Sequence, residues 1–330
     1  MAKITHGFGV DIPEFCNTID FSLSKTVEER DFARKGTMMD VHILRVMCDG
    51  MTCEASCPHC VYRAGQDQIG NDSFDFQAFE KARQFALRSG AVTLEIEAGG
   101  DPLADEWTKL YQILSEGSSD FPQVGLTTPG QGIFDSQESF LNLIGWHLTN
   151  LTLTIPHHDP KKRKTLLGLD LDYGELVGYL REECRVVVRA ACFLSRQGIS
   201  SSQEVLDFVN WSREVGIQQI AFREIEPPDE TLNAETAQWC HENAVEVDTE
   251  ENWNFDDPGR AVLYVNSLVS QNQARPVYVL PWGETVYDID GVNVIFEKSE
   301  KNYYGKFIKS LVLSGQHVYA RWESGGTIIF

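Results

Sequence analysis

Several features that would place this sequence of 330 residues in a common class are missing from it. It has 28 lysines and arginines against 49 aspartates and glutamates, a formal net charge of −21, so it has no basic excess for binding DNA, RNA or an anionic membrane. No apolar run reaches the length of a membrane span, and residues 1–7 contain no apolar signal segment. We therefore expect a cytoplasmic protein that contacts neither nucleic acid nor membrane.

Paired zinc motifs are also missing, because there is no second Cys-x-x-Cys and no His-x3-His. What is present is a single stretch with three cysteines, Cys53, Cys57 and Cys60, at positions i, i+4 and i+7. Thiolates bind zinc, copper(I) or iron–sulfur clusters. Three thiolates on a [4Fe–4S] cluster leave one iron open, where a small molecule can bind. The alternative is a zinc site in which Cys48 or His59 supplies the fourth ligand.

Strands and helices alternate regularly from residue 41 to residue 226. The predicted strands are 41–47, 92–98, 124–128, 148–155, 185–194 and 217–226, and the helices between them are 74–89, 107–114, 137–144, 173–183 and 202–215. Six such repeats predict a parallel sheet in an α/β fold, an open, partial (β/α)6 barrel like that of a TIM barrel. We predict three regions: an N-terminal arm (1–40), the barrel (41–228) and a C-terminal α+β extension (229–330) that covers the barrel. In the extension, 234–244 and 261–270 are predicted helices, and the chain from 275 onward is predicted to be β-rich.

Strand alternation predicts a polar barrel interior. On strand 92–98 the residues Leu94 and Ile96 pack against helices, so Glu95 and Glu97 face inward. The same alternation turns Arg189, with Arg185, and Arg223 inward on the fifth and sixth strands. Buried charges are costly unless they are paired or used, so these residues form either internal ion pairs or a chamber for a ligand.

The spacing Cys-x3-Cys-x2-Cys after a first β-strand resembles the radical S-adenosylmethionine (SAM) superfamily. The resemblance covers roughly residues 41–226 and implies that Cys53, Cys57 and Cys60 hold a [4Fe–4S] cluster. His59 lies where the family usually has an aromatic residue whose backbone meets the SAM adenine. Gly99-Gly-Asp-Pro102 resembles the Gly-Gly-Glu-Pro motif that binds the SAM amino group, with Asp101 in place of glutamate.

Two further strand ends match the family pattern. Leu126-Thr-Thr-Pro-Gly130 is similar to the Thr-Asn-Gly strand end, and Leu151-Thr-Leu-Thr154 is similar to the strand whose Ser or Thr touches the SAM carboxylate or ribose. The resemblance therefore implies that the cofactor is bound by His59, Gly99, Gly100, Asp101, Thr128 and Thr154.

By this resemblance the protein is a radical SAM enzyme, with the [4Fe–4S] cluster and SAM as cofactors. The reduced cluster cleaves SAM to a 5′-deoxyadenosyl radical, which abstracts a hydrogen from a small polar, anionic metabolite held by Glu97, Arg189 and Arg223. An external donor such as flavodoxin or ferredoxin supplies the electron. The alternatives are a radical SAM enzyme that modifies a peptide or protein, and a zinc-stabilised scaffold without catalysis.

Within the superfamily the sequence is most similar to the branch of the molybdenum-cofactor GTP cyclase. Two departures separate it from that activity: the substrate arginine of the branch falls at Ile96, and the auxiliary-cluster cysteines are missing, since Cys240 is the last cysteine. The resemblance therefore implies a relative that acts on another substrate.

Overall fold

The computed structural model describes residues 41–48, 52–60, 62, 74–104, 107–227, 233–249, 261–298, 308–320 and 328–329. The predicted N-terminal arm, residues 1–40, lies outside the described residues. The division of the chain into barrel and extension stays a prediction.

One sheet of eleven strands dominates the described structure, in the order β13-β12-β1-β2-β3-β4-β5-β6-β11-β10-β9. Its strands are β1 Val41–Cys48, β2 Thr93–Ala98, β3 Gln123–Thr128, β4 Asn150–Thr154, β5 Val187–Phe193, β6 Gln219–Arg223, β9 Arg275–Val279, β10 Thr285–Ile289, β11 Val292–Glu297, β12 Ile308–Ser314 and β13 His317–Tyr319. The six predicted strands are adjacent and parallel, as the βα repeats require. A separate pair is formed by β7 Val245–Asp248 and β8 Ala261–Tyr264.

The described helices lie between the strands along the chain. They are α1 Phe76–Arg88, α2 Trp107–Gly117, α3 Gln131–Asp135, α4 Gln137–Leu143, α5 Pro160–Leu167, α6 Tyr173–Tyr179, α7 Ser202–Val215, α8 Ala234–Asn243 and α9 Val265–Ser270. In α1, Asp75 accepts the N–H groups of Gln77 and Ala78 and so begins the helix. Phe79 and Phe85 follow at helical spacing and are buried against the sheet.

The C-terminal region supplies two further parallel strands to the sheet, one at each side. β11 pairs with β6, and β12 pairs with β1. The sequence predicted no strand at 308–314, although Leu311, Val312 and Leu313 of β12 are fully buried beside β1. These strands extend the partial α/β barrel that the βα repeats predict, and among the described strands the sheet is open, with β13 and β9 at its ends.

The sheet is curled, and side chains connect its two halves across the interior. Lys309 of β12 lies 3.2 Å from Glu297 of β11 and 3.1 Å from Glu284, which precedes β10. These ion pairs link strands at opposite sides of the sheet. Among the described helices, none is both long and apolar enough to cross a membrane.

Two local predictions were wrong. Residues 261–264 are not the start of a helix but form β8, which pairs with β7. Arg185 is not on the inner face of β5, because it precedes the strand with a left-handed backbone (φ 56°) and is exposed. Both errors follow from local apolar patterns that do not reveal where a strand finds its partner.

Candidate active site

The three-cysteine loop lies directly after β1, at the carboxyl end of the sheet, where α/β barrels place their sites. Cys53, Cys57 and Cys60 are partly buried and form no disulfide. The Cys60 N–H donates to the Cys57 carbonyl (3.2 Å), which closes a tight turn over Pro58 and His59. This turn brings the second and third cysteines of the motif to the two ends of one short bend.

The end of α5 fixes the position of this loop. The Ser56 N–H donates to the Leu167 carbonyl (2.7 Å). Gly168 ends α5 with a left-handed backbone (φ 77°), and a Cβ there would collide with the Ser56 hydroxyl. A glycine is therefore required at this position both for its backbone conformation and for the close approach of the cysteine loop. Helix α5 itself was missed in the sequence, although Asp159 and Pro160 form a standard helix start.

The turn at 99–102 is hydrogen-bonded to the cysteine loop, because the Asp101 N–H donates to the Thr52 carbonyl (2.9 Å). The Asp101 carboxylate is buried and accepts the Thr128 hydroxyl (2.7 Å) and the Leu103 N–H (3.1 Å). Burial raises the pKa of Asp101, and these hydrogen bonds oppose the rise. The structure thus brings together the ends of β1, β2 and β3, three of the segments in which the sequence predicted cofactor-binding residues.

The hydrogen bonds of Asp101 and Thr128 determine which polar groups near the 99–102 turn have a hydrogen-bond partner. The Asp101 and Thr128 side chains bind each other, and the Gly130 N–H donates to the Thr128 hydroxyl (3.0 Å). Gly99 is buried and Gly100 is partly exposed, with no side chain to cover the backbone. The side chains of Asp101 and Thr128 therefore shape the turn, and the two glycines add no side chain to it.

His59 of the cysteine loop contacts aromatic rings from two other elements. Its ring centroid is 4.7 Å from that of Phe193, at the end of β5, and 5.9 Å from that of Trp239 in α8. Burial lowers the pKa of His59 to about 4, so the ring is neutral at physiological pH. In the described part of the chain its Nδ1 has no hydrogen-bond partner.

Thr154 is partly exposed at the end of β4, and its carbonyl accepts the Tyr173 hydroxyl (3.2 Å).

The donor chemistry of the cysteine loop fits a soft metal centre. Within the described residues, no three His, Cys, Asp or Glu side chains are grouped closely enough to hold a metal ion as they stand. Three cysteines that form no disulfide, on one short, partly exposed loop, are nevertheless the kind of donor set that an iron–sulfur cluster uses. Cys48, the candidate fourth zinc ligand, is buried at the end of β1, where its thiol donates to the Glu97 carbonyl (3.3 Å).

A deeply buried carboxylate, Glu95, lies on the inner face of the sheet. Asn150 donates to it (3.3 Å), and a Cβ on Gly125 would collide with its carboxyl group. Burial raises the pKa of Glu95, although the positive charge of Arg189 acts in the opposite direction. Arg189 donates through Nε and Nη2 to the neutral Gln219 Oε1 (3.2 and 3.0 Å). Arg189 is thus an inward cation whose hydrogen-bond acceptor among the described side chains is uncharged.

The other two predicted substrate residues have charged partners within the protein. Arg45 Nη1 lies 3.2 Å from Glu97 Oε1, and Arg223 Nε lies 2.5 Å from Glu297 Oε2. Burial acts to raise the pKa of Glu297, but the charges of Arg223, Lys309 and Arg45 outweigh it and the pKa is lowered. Glu97 and Arg223 are thus parts of internal ion pairs, the first of the two roles that the sequence left open.

Sequence reasoning missed the residues that complete these pairs. The inward direction of Arg45 could have been predicted, because it alternates with the buried Leu44 and Val46 on a strand already predicted. The ion pair between Lys309 and Glu297 could not be predicted from the sequence, because it forms only when the sheet curls.

A buried histidine after β4 was also missed. His157 is 2% exposed, and its Nδ1 accepts the Asp159 N–H (2.8 Å). Arg163 donates to the carbonyls of His157 (3.3 Å) and His158 (2.6 Å), which fixes the loop before α5. Burial lowers the pKa of His157 to about 4, helped by the nearby charges of His158 and Lys162.

Comparisons with known proteins give a fold but no close relative. No family model and no curated protein matches the chain. Streptococcus suis SuiB bound to the precursor peptide SuiA matches with a TM-score of 0.55, at 13% identity over 89% of this chain and 62% of SuiB. SuiB bound to S-adenosylmethionine matches with a TM-score of 0.54, at 13% identity over 89% of this chain and 64% of SuiB. Escherichia coli coproporphyrinogen III oxidase (HemN), a radical SAM enzyme, gives a TM-score of 0.39 at 8% identity, over 88% of this chain and 71% of HemN.

The SuiB matches are the ones that bear on the fold, and the chain spans less than two thirds of the length of SuiB. They agree with the mixed α/β fold of this chain and its curled sheet. The chain therefore has the partial α/β barrel fold of radical SAM enzymes, with additional C-terminal strands at both sides of the sheet.

Proposed function

We propose that this protein is a radical SAM enzyme in which Cys53, Cys57 and Cys60 hold a [4Fe–4S] cluster. The observation that carries the proposal is the hydrogen bond between the cysteine loop and the 99–102 turn, which places both sequence motifs at one end of the barrel. SuiB, which shares the fold, has been observed with SAM bound. When bound, the cluster and SAM supply reductive cleavage of the sulfonium, giving methionine and a 5′-deoxyadenosyl radical that abstracts a hydrogen atom from the substrate.

The protein side chains position the cofactor and shield it from water. Gly99 and Gly100 offer backbone groups to the SAM amino group, and Asp101 with Thr128 holds that turn in place. His59 and Phe193 provide a ring surface beside the cysteine loop, suited to the adenine. Thr154 presents its hydroxyl at the end of β4, within the same edge of the sheet.

The substrate on this proposal is a small polar, anionic metabolite that binds in the barrel interior. Arg189 is the best candidate to receive the anion, because its hydrogen-bond acceptor Gln219 is uncharged. Glu97 and Arg223 line the same interior, where their ion pairs reduce the charge they offer to a ligand. An external flavodoxin or ferredoxin supplies the electron. The likeness to the GTP cyclase branch is carried by sequence motifs alone.

A second candidate is a peptide substrate, and one observation favours it: SuiB has been observed with its precursor peptide bound. The ion pairs of the interior favour it as well, since they leave fewer free charges there to select a small anion.

Anaerobic reconstitution tests the chemistry. The wild-type chain is expected to contain about four iron and four sulfide, and to release 5′-deoxyadenosine from SAM under reduction. Cys57→Ala is expected to lose both properties, and Cys192→Ala, which changes a thiol buried beside the Pro156 carbonyl, is the matched control that keeps them. One zinc per chain and no 5′-deoxyadenosine would refute the proposal and support the scaffold alternative.

A further inference from the structure

Arg189 is an inward arginine of β5 that has no carboxylate partner among the described residues. Its Nε and Nη2 donate to Gln219 Oε1 (3.2 and 3.0 Å). The Nη1 group has no acceptor in this part of the chain and is open to solvent. Arg45 and Arg223, by contrast, each lie close to a glutamate. Of these three inward arginines, Arg189 is therefore the one whose charge the described residues leave unpaired.

Gln219 holds the guanidinium of Arg189 by one edge and leaves another edge free. The two residues are partners in the register of β5 and β6, so their side chains lie side by side on the same face of the sheet. With Nε–H and one Nη2 N–H bound to the amide, each terminal nitrogen still has a free N–H, and these two N–H groups are parallel. Such a parallel pair binds a carboxylate through two hydrogen bonds. Because the amide of Gln219 is uncharged, it supports the arginine without neutralising it.

The carboxyl group of Glu95, which also lies on the inner face, does not fill this free edge. Glu95 is buried and accepts a hydrogen bond from Asn150 (3.3 Å), but it forms no ion pair with Arg189. Burial raises the pKa of Glu95 against the opposing charge of Arg189, which weakens this carboxyl group as a counter-ion. The free edge of Arg189 is therefore available to an anion that the described residues do not supply.

Small side chains lie between Arg189 and the end of β4 that carries Thr154. One row nearer to the carboxyl ends of the strands, Thr154, Ala191 and Ala221 are partners in register. Two residues along a strand correspond to about 7 Å, which is the separation between the backbone row of Arg189 and that of Thr154. A ligand that spans these rows has its anionic group at one end and its reacting C–H bond several bonds away.

We propose that Gln219 is a positioning residue, which fixes Arg189 so that the free edge of the guanidinium binds the carboxylate of an elongated substrate. A carboxylate fits better than a phosphate because its single charge matches the one unpaired cation. A phosphate would bring about 1.5 to 2 negative charges into a partly buried site at neutral pH. The use of this subsite in catalysis rests on the proposed function, whereas binding at it does not.

The test measures binding of sodium hexanoate, a linear carboxylate, to the full chain with its cluster, anaerobically and without SAM, by ligand-observed NMR. Gln219→Glu places a carboxylate against Arg189, so we expect hexanoate to bind at least about tenfold more weakly while the melting temperature stays the same or rises. If Gln219 only braced the fold, this variant would bind hexanoate as wild type does.

Gln218→Glu is the matched control. It makes the same change at the preceding, exposed position, whose side chain alternates to the other face, and it should bind hexanoate within about threefold of wild type. Arg189→Met removes the anion-binding edge itself and should bind at least about tenfold more weakly than wild type.

Several outcomes would overturn the proposal. They are no binding of hexanoate to wild type, equal binding to Gln219→Glu, or an equal loss in Gln218→Glu, which would show an effect of overall charge. Tighter binding of hexyl phosphate would overturn the carboxylate assignment, and equal binding of 1-hexanol would show that only the apolar chain is recognised. If Gln219→Glu does not fold, wild-type binding by Arg189→Met would overturn the proposal instead.

The proposed function is tested separately from this subsite. Release of 5′-deoxyadenosine from SAM by the wild-type chain is measured with dithionite as the reductant and without hexanoate, so it depends on the cluster and not on hexanoate binding. If no 5′-deoxyadenosine formed, the proposed function would be refuted and the binding result for Gln219 would stand.

Discussion

Replacing Arg223 with methionine distinguishes a structural arginine from a substrate-binding one. Arg223 Nε lies 2.5 Å from Glu297 Oε2, and the two side chains are only 21% and 15% exposed. Removing one partner of a buried pair costs about 3–5 kcal/mol, because the other charge is left in a poorly solvated site. Glu297 keeps Lys309 at 3.2 Å, so we expect the free energy of unfolding to fall by roughly 2–4 kcal/mol. The measurement is anaerobic urea denaturation followed by circular dichroism.

Two controls isolate the ion pair from the general effect of an arginine-to-methionine change. Arg275→Met breaks an exposed pair with Asp288, in which the arginine is 77% exposed, and should cost less than about 1 kcal/mol. Adding Glu297→Gln to the Arg223→Met protein removes the carboxylate that has lost its arginine. This second change should restore at least about 1 kcal/mol of the free energy of unfolding. An Arg223→Met protein as stable as wild type, with no recovery in the double variant, would refute the structural reading. Substrate turnover lost at full stability would then assign Arg223 to the ligand.

Three further predictions concern the site and its supports. Gly100→Val should weaken SAM binding at least about tenfold while the cluster absorbance persists, because a side chain would block the backbone approach; equal affinity by calorimetry would exclude this turn from the SAM site. Thr128→Val should cost about 1–3 kcal/mol by removing a hydrogen bond to buried Asp101, and Asp101→Asn in that background should recover part of it. His157 has a pKa of about 4 when folded and 6.5 as a free side chain, so protons favour the unfolded chain and stability should fall as the pH drops from about 6.5 to 4. His157→Asn, which keeps an acceptor for the Asp159 N–H, should remove about 1–3 kcal/mol of this loss, and an unchanged acid profile in chemical denaturation would contradict it.

The sequence was sufficient for the features that depend on local pattern. Helices such as α1 and α7 follow from apolar residues at helical spacing and from their caps, and the six strands follow from runs of apolar residues between turns. The alternation on β2 also placed Glu95 and Glu97 on the inner face, where the structure has Glu95 buried beside Asn150. Each of these depends on interactions within about ten residues, which the sequence displays directly.

The sequence was less informative where a residue's role depends on a distant partner. Residues 308–314 look like one more apolar segment, and only pairing with β1 makes them a central parallel strand. The sequence was equally compatible with Arg223 as a substrate ligand and as one half of an ion pair, because Glu297 is 74 positions away along the chain.

What the sequence by itself determined is the chemistry available to this protein: three cysteines in a loop after a strand, a glycine turn after the next strand, and βα repeats to hold them. What only the tertiary structure decided is how those pieces meet. The Asp101 N–H reaches the Thr52 carbonyl, and Lys309 reaches Glu297, because parallel strands align their carboxyl ends and the sheet curls. Those contacts join residues that are 49 and 12 positions apart in the sequence but lie on different strands or loops. Such contacts follow from the packing of the whole sheet, which no local pattern encodes.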